Sequence, residues 1–280
     1  IIFFLLLGAP LVTSAQKVIG AENLQGIIDA DHANMFSRLI VQDQNGRMKP
    51  IHTLSREVMR KLMRKENLPG MNADQIVLGM LANSPDWIGV KMISVGSHQS
   101  IRKLLGVNDK LVAYKDFFAT NGEYLLRDEV RKAYGLQPID RGVYEKELMK
   151  IDERVNIANM VYSGSIFKII PIPGDPNNAW AANESEHHHN HDHEHQTHSS
   201  VAARFFESYQ SAVTVAMVTK DYRMPGKLIS ELDAYQKSKG MTVIPSPSRI
   251  SAEILLNKLS LFNRLAVFYA LLGATWLFML

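Results

Sequence analysis

"DRGVYEKELMKIDERVNIANMVYSGS", residues 140–165, is the longest continuous helical pattern in the middle of the chain. Leu148, Ile151, Val155, Ile157 and Val161 recur at an imperfect helical period among charged and polar positions, the pattern of a helix that buries one face. Reading outward, the same period returns on both sides. "TLSREVMRKLMRKEN" (53–67) reads as a basic amphipathic helix opened by Thr53 as N-cap and stopped by "LPG". "NADQIVLGMLAN" (72–83) starts on Asn72, and "HQSIRKLLG" (98–106) is a short helix closed by Gly106. "YKDFFATNGEYLLRDEVRKAYGL" (114–136) predicts helical turns around a loop at Asn121-Gly122. Downstream, "VAARFFESYQSAVTVAMVTKDY" (201–222) and "PGKLISELDAYQKSKG" (225–240) are helices, and "ISAEILLNKLSLFNR" (250–264) is amphipathic. Extended pieces are few and short: "VKMISVG" (90–96), "IFKIIPIP" (166–173), and a stretch before the Asn-Gly turn of "VQDQNGRMKP" (41–50). The expected fold is mainly α with a few short strands.

The ends differ from this middle. The chain opens on "IIFFLLLGAPLV" and closes on "LAVFYALLGATWLFML", the latter 16 uncharged, mostly apolar residues. A bilayer core needs about 20 such residues in a helix. The expectation is an extramembrane helical domain, 16–250, flanked by truncated transmembrane helices at 1–15 and within 251–280. The opening run has a second reading as a signal-like segment with small residues up to Ala15. Either reading places the domain on the periplasmic, outer side of the cytoplasmic (inner) membrane, in contact with membrane lipid. Its lysines do not oppose this, because long loops obey the positive-inside rule poorly.

The 280 residues carry a net charge of +3, spread along the chain without an arginine-rich block interleaved with aromatics, which argues against a nucleic-acid partner. The absence of cysteine excludes disulfides, thiolate metal sites, Fe–S clusters and a cysteine nucleophile. No phosphate-binding loop, dinucleotide fingerprint, H-E-x-x-H or G-x-S-x-G is present. Asp152, Glu153 and Arg154 place acids beside a base on the longest helix, as a polar anchor or as acid–base groups.

"HHHNHDHEHQTH" (187–198) concentrates seven of the ten histidines. His187, His188, His189, His191, His193, His195 and His198, with nearby carboxylates, suit Zn or Cu. A fixed site also needs ligands held by structure and a second shell. The surrounding composition from 181 to 199 is instead that of a disordered loop between a strand and a helix. Weak metal buffering is compatible with that reading. A metal-capturing extracytoplasmic protein remains an alternative, and would need His32, His52 and His98 to converge on a site of their own.

The segment "DQNGRMKPIHT" (43–53) offers a second candidate. Gly46 permits a tight turn, Arg47 and Lys49 point the same way if the segment is extended, Pro50 breaks it, and Thr53 caps the helix beyond. The basic pair reads either as an anion or partner contact or as a solvated pair on a structural turn.

At this segment the chain resembles a known family. "ANMFSRLIVQDQNGRMKPIHTLSREVMRKL", followed by "GMLANSPDW", "DERVNIANMVYSG", "IFKIIPIPGDPNNAW" and "IPSPSRISAEILLNKLSLFNRL", is similar in content and order to the system II cytochrome c biogenesis proteins. The similarity is to the fused CcsB–CcsA (ResB–ResC) type, and it runs from about residue 31 to 270. The resemblance implies a multi-pass membrane protein that moves haem to the outer face and attaches it to apocytochrome c. This chain would be the extracytoplasmic part of the CcsB-like half. Haem would be the cofactor handled by the full-length protein. Its partners would be apocytochrome c and a CcsA/ResC-like half carrying the tryptophan-rich WWD segment. That segment and its histidines are absent from this sequence, so no haem ligand or catalytic residue is assigned. Gly46, Arg47, Lys49, Pro50 and Thr53 are the family-motif positions expected to serve structure or a partner contact.

Overall fold

The computed structural model describes residue 24 and residues 28–183, 193–259 and 261–279, with the side chains of 193–200, 261–264, 267 and 277–279 excepted. Among the described residues the chain forms eleven helices and six short strands. In order these are α1 (Ala30–Ser37), β1 (Ile40–Gln42), β2 (Met48–Pro50), α2 (Ile51–Met63), α3 (Ala73–Ala82), α4 (Ser84–Trp87), β3 (Lys91–Ser94), α5 (Gln99–Leu104) and β4 (Leu111–Ala113). A 3-10 turn (Tyr114–Phe117) leads to α6 (Arg127–Gly135), α7 (Val143–Ser163), β5 (Ile170–Pro171), β6 (Trp180–Ala181), α8 (His193–Thr219), α9 (Arg223–Lys239), α10 (Pro247–Leu259) and α11 (Leu261–Met279). The strands pair antiparallel as β1–β2, β3–β4 and β5–β6. The mainly helical fold with a few short strands is the one expected from sequence.

The core is built around α3. Asn72 accepts from the Gln75 amide while the Gln75 side chain accepts from the Asn72 amide, a reciprocal cap that occupies two otherwise orphan donors. Every residue of α3 from Ala73 to Leu81 is buried, and α1, α2, α4, α7 and α8 pack around it. Such a helix has no solvent face, and its sequence beyond the capping turn, where Asp74 and Gln75 are hydrogen-bonded, is apolar all round. Gly79 lets the indole of Trp87 lie against the helix backbone: a Cβ there would stand 2.4 Å from the ring.

The long helix α7 buries Leu148, Ile151, Val155 and Val161 of the stripe expected from sequence, but Ala158 takes the buried place and Ile157 is only half-buried at the edge of the stripe. Each large aliphatic side chain contributes roughly 1.5–3 kcal/mol on burial. Arg154 lies within the same stripe. Its Nε donates to the Lys61 carbonyl (3.0 Å) and its Nη1 to the Ser94 carbonyl (2.8 Å), tying α7 to α2 and β3. Burial lowers the Arg154 pKa. Asp152 accepts from the Tyr124 hydroxyl, and Glu153 pairs with Lys61. The acid–acid–base triplet therefore serves as an anchor in this fold.

Several boundaries differ from the sequence reading. Helix α2 begins at Ile51 with Pro50 as N-cap, so Thr53 lies inside its first turn and is not the cap. Proline is tolerated there because the first helical amides need no intrahelical partner. Strand β4 has no counterpart in the sequence reading; three residues are too few to show alternation. Of the segment expected as a loop from 181 to 199, Ala181 belongs to β6 and the backbone from His193 onward to α8, while 184–192 lie outside the described residues. Helix α10 starts at Pro247, ahead of the expected lead-in.

Among the described residues no helix is long and apolar enough to cross a membrane, so the flanking transmembrane helices are not supported by the fold. Residues 1–15 lie outside the described residues. Helix α11 exposes Phe268, Tyr269, Leu271, Leu272 and Trp276.

Candidate functional site

The "DQNGRMKPIHT" segment folds as the β1–β2 hairpin and the first turn of α2. Its turn is organised by Asp43, whose carboxylate accepts from the amides of Asn45 (2.9 Å) and Arg47 (3.0 Å). Gly46 takes φ +81°, a conformation glycine adopts at no steric cost. Register pairs Ile40 with Pro50, Val41 with Lys49 and Gln42 with Met48.

Two glutamines fix this hairpin to the rest of the chain. The Gln42 carboxamide accepts from the Trp180 amide and donates to the Asn178 carbonyl. The Gln236 side chain, 1% exposed, does the same for Ile40 and also donates to the Ile169 carbonyl. Each completes a strand edge with a side-chain amide, so that buried backbone groups are not left unpaired. Beside them Trp180 packs on Ile40, Met48, Val243, Ile244 and Ile250.

Arg47 and Lys49 turn to different partners. Arg47 is more than half exposed and donates to Glu253 on α10 at 2.8 Å. The Thr53 hydroxyl donates to the same carboxylate oxygen at 2.7 Å, and Asn257 donates to Thr53 at 2.9 Å. The motif thus clasps α10, the helix that leads to α11. Lys49 is 4% exposed and lies between Glu57 (2.5 Å) and Asp43 (3.5 Å). Burial would raise the Asp43 carboxyl. The amides of Arg47 and Asn45 and the Lys49 ammonium outweigh it and hold the group below its usual value. Two carboxylates compensate the one buried ammonium, so Lys49 is a structural charge here.

Beside the hairpin an open cleft of about 960 Å³ runs between β1, α2 and α7. Leu54, Val58, Ile157, Met160 and Ile166 supply apolar lining, and Arg60, Lys61 and Lys168 line it with charge.

The histidines divide. His187, His188, His189 and His191 lie outside the described residues. His193, His195 and His198 fall on the α8 backbone. His32 hydrogen-bonds the Tyr209 hydroxyl at 2.9 Å, and burial lowers its pKa to about 4 against the opposing pull of Asp29. His52 Nδ1 lies 2.8 Å from Asp74 Oδ2, and His98 packs on Tyr144. Among the described residues no group of three or more histidine or carboxylate side chains is placed to hold a metal ion. The metal-capturing alternative therefore gains no site from His32, His52 and His98.

Sequence reasoning missed Asp43, Gln42, Gln236, Glu57, Glu253 and Lys168. Asp43, two residues before the Asn-Gly step, carries an Asx-turn signal that could have been read. Glu253 has none, because its partner is 206 residues away.

No protein-family model matches the chain. It is 39% identical over 240 residues to Protein NrfI of Wolinella succinogenes, a match covering 85% of this chain and 26% of NrfI. A match of that extent necessarily includes the stretch from Gly46 to Trp180. The chain spans about a quarter of the length of the relative it matches. It is therefore a homologue of NrfI over most of its own length.

Proposed function

We propose that the chain is the extracytoplasmic part of the CcsB-like half of a system II cytochrome c biogenesis protein of the fused CcsB–CcsA type. Its domain lies on the periplasmic side of the cytoplasmic membrane. The whole protein delivers haem to apocytochrome c. The haem site belongs to the CcsA-like half with its WWD segment, outside these residues. The observation that carries the reading is the similarity to NrfI across 85% of the chain, together with the ordered motifs of the sequence.

This domain's own task is positional. The hairpin clasps α10 through Arg47, Thr53 and Glu253, and so sets the direction in which α11 leaves the domain. The exposed apolar side chains of α11 support its contact with lipid. Zn or Cu at the histidine tract is adventitious in this account.

The test uses cells that lack the gene and carry the full-length protein, unaltered or with the seven tract histidines replaced by serine. c-type cytochromes are scored by haem staining, and the purified protein by its haem absorption spectrum. The reading predicts that cytochromes disappear without the gene and return with either version, with bound haem retained. Normal cytochromes in the absence of the gene would overturn it. Loss of haem or maturation on changing only the tract would place haem handling in this chain.

A further inference from the structure

The cleft beside the hairpin is lined by one lysine, Lys168, that is in no ion pair among the described residues. Its lining contains four cations, Lys49, Arg60, Lys61 and Lys168, and three acids, Asp43, Glu57 and Glu153. Each acid has a cation beside it: Asp43 and Glu57 share Lys49, at the hairpin end, and Glu153 pairs with Lys61 at 2.7 Å. Arg60 reaches Glu66, away from the cleft. Among the described residues Lys168 has no ion-pair partner, and its backbone is fixed by a bridge to Gln42. Lys61 and Glu153 are about half exposed, so their pair is weak and Lys61 can turn to a competing carboxylate.

Next to this charge lie the half-buried apolar side chains of Ile157, Met160 and Ile166. The floor is thus adaptable, since methionine repacks around different shapes. The carboxamides of Gln44 and Asn156 line the same cleft and match peptide groups in both donor and acceptor. The cleft is open along one side, and its volume of about 960 Å³ accommodates a few residues of extended chain.

We propose that this cleft binds an extended peptide carrying an acidic side chain beside an apolar one, with the carboxylate at Lys168 and the apolar group on Ile157, Met160 and Ile166. The shape and charge of the cleft carry this, and it stands or falls separately from the maturation role.

The test uses the full chain in detergent and fluorescein-labelled, end-blocked Gly-Leu-Asp-Leu-Gly, read by fluorescence anisotropy. Its Asn counterpart and sodium laurate are the comparison ligands. The acidic peptide is expected to bind about fivefold tighter than the Asn peptide, the ratio one partly exposed ion pair contributes. Lys168→Ala should erase that ratio without changing thermal unfolding, because among the described residues the ammonium holds no ion pair. Ile157→Asp should weaken both peptides. Equal affinity for the two peptides, or a ratio that survives Lys168→Ala, would overturn the proposal. So would laurate binding that depends on Lys168 while neither peptide binds, which would mark the cleft as a site for small amphiphiles. Normal cytochrome c maturation alongside failed peptide binding would leave the positional role intact.

Discussion

Arg47 and Glu253 meet at 2.8 Å across 206 residues of sequence, and Thr53 donates to the same carboxylate oxygen from the first turn of α2. Both donors come from the hairpin segment, so one acid on α10 reads the turn and the helix start together. Glu253→Ala should therefore loosen α10 more than it destabilises the domain. An exposed ion pair contributes at most about 1 kcal/mol. Hydrogen exchange is expected to rise at amides 250–257 and to stay unchanged in α3.

Gln236 occupies both backbone groups of Ile40 and a third, the Ile169 carbonyl. Gln236→Leu keeps the volume and removes every partner. Leaving such buried groups unsatisfied costs about 1–3 kcal/mol each, so a total of at least roughly 3 kcal/mol is expected. Chemical denaturation would check this, and a loss below about 1 kcal/mol would mean that water replaces the amide.

Gly79 faces the Trp87 ring with no room for a Cβ. Gly79→Ala gains helix propensity of about 1 kcal/mol but forces the buried indole to move. Overpacking typically costs about 1–3 kcal/mol, so the variant should melt lower despite the better helix former. Adding Trp87→Leu should relieve part of the clash, visible as a smaller combined loss than the sum of the two.

His32 is 2% exposed, and its pKa is lowered to about 4. The folded protein thus binds fewer protons at this ring than the unfolded chain between about pH 6.5 and pH 4. Stability contributed by the neutral ring is present above pH 6.5 and falls away as pH drops through that window. The loss amounts to roughly 3 kcal/mol at its limit. His32→Gln, measured by thermal unfolding from pH 7 to pH 4, should flatten this part of the pH dependence.

Long elements were legible in the sequence because their periods repeat. Helix α7 shows its buried stripe from Leu148 to Val161 over four turns, and the Asn72 cap marks the start of α3. Strand β4, three residues long, gave no period to read. Thr53 looked like a cap because its residue type favours that position, yet tertiary contact with Glu253 uses the hydroxyl differently. The candidate site was half legible: Gly46 and the turn follow from local chemistry. The partners of Arg47 and Lys49 do not, because Glu253 lies far along the chain and Glu57 on the next helix. Local spacing suggested that the two cations share a side, whereas the acids around them draw each to its own partner.

The most direct measurement is a charge swap across the clasp. Full-length protein carrying Arg47→Glu, Glu253→Arg or both would be made in cells lacking the gene, with protein levels matched by immunoblot and c-type cytochromes scored by haem staining. The account predicts that each single change lowers maturation and that the double change recovers part of it, because the reversed pair again joins the hairpin to α10 although the Thr53 hydroxyl loses its acceptor. Full maturation in both single variants, or a double variant no better than either at equal protein level, would contradict it.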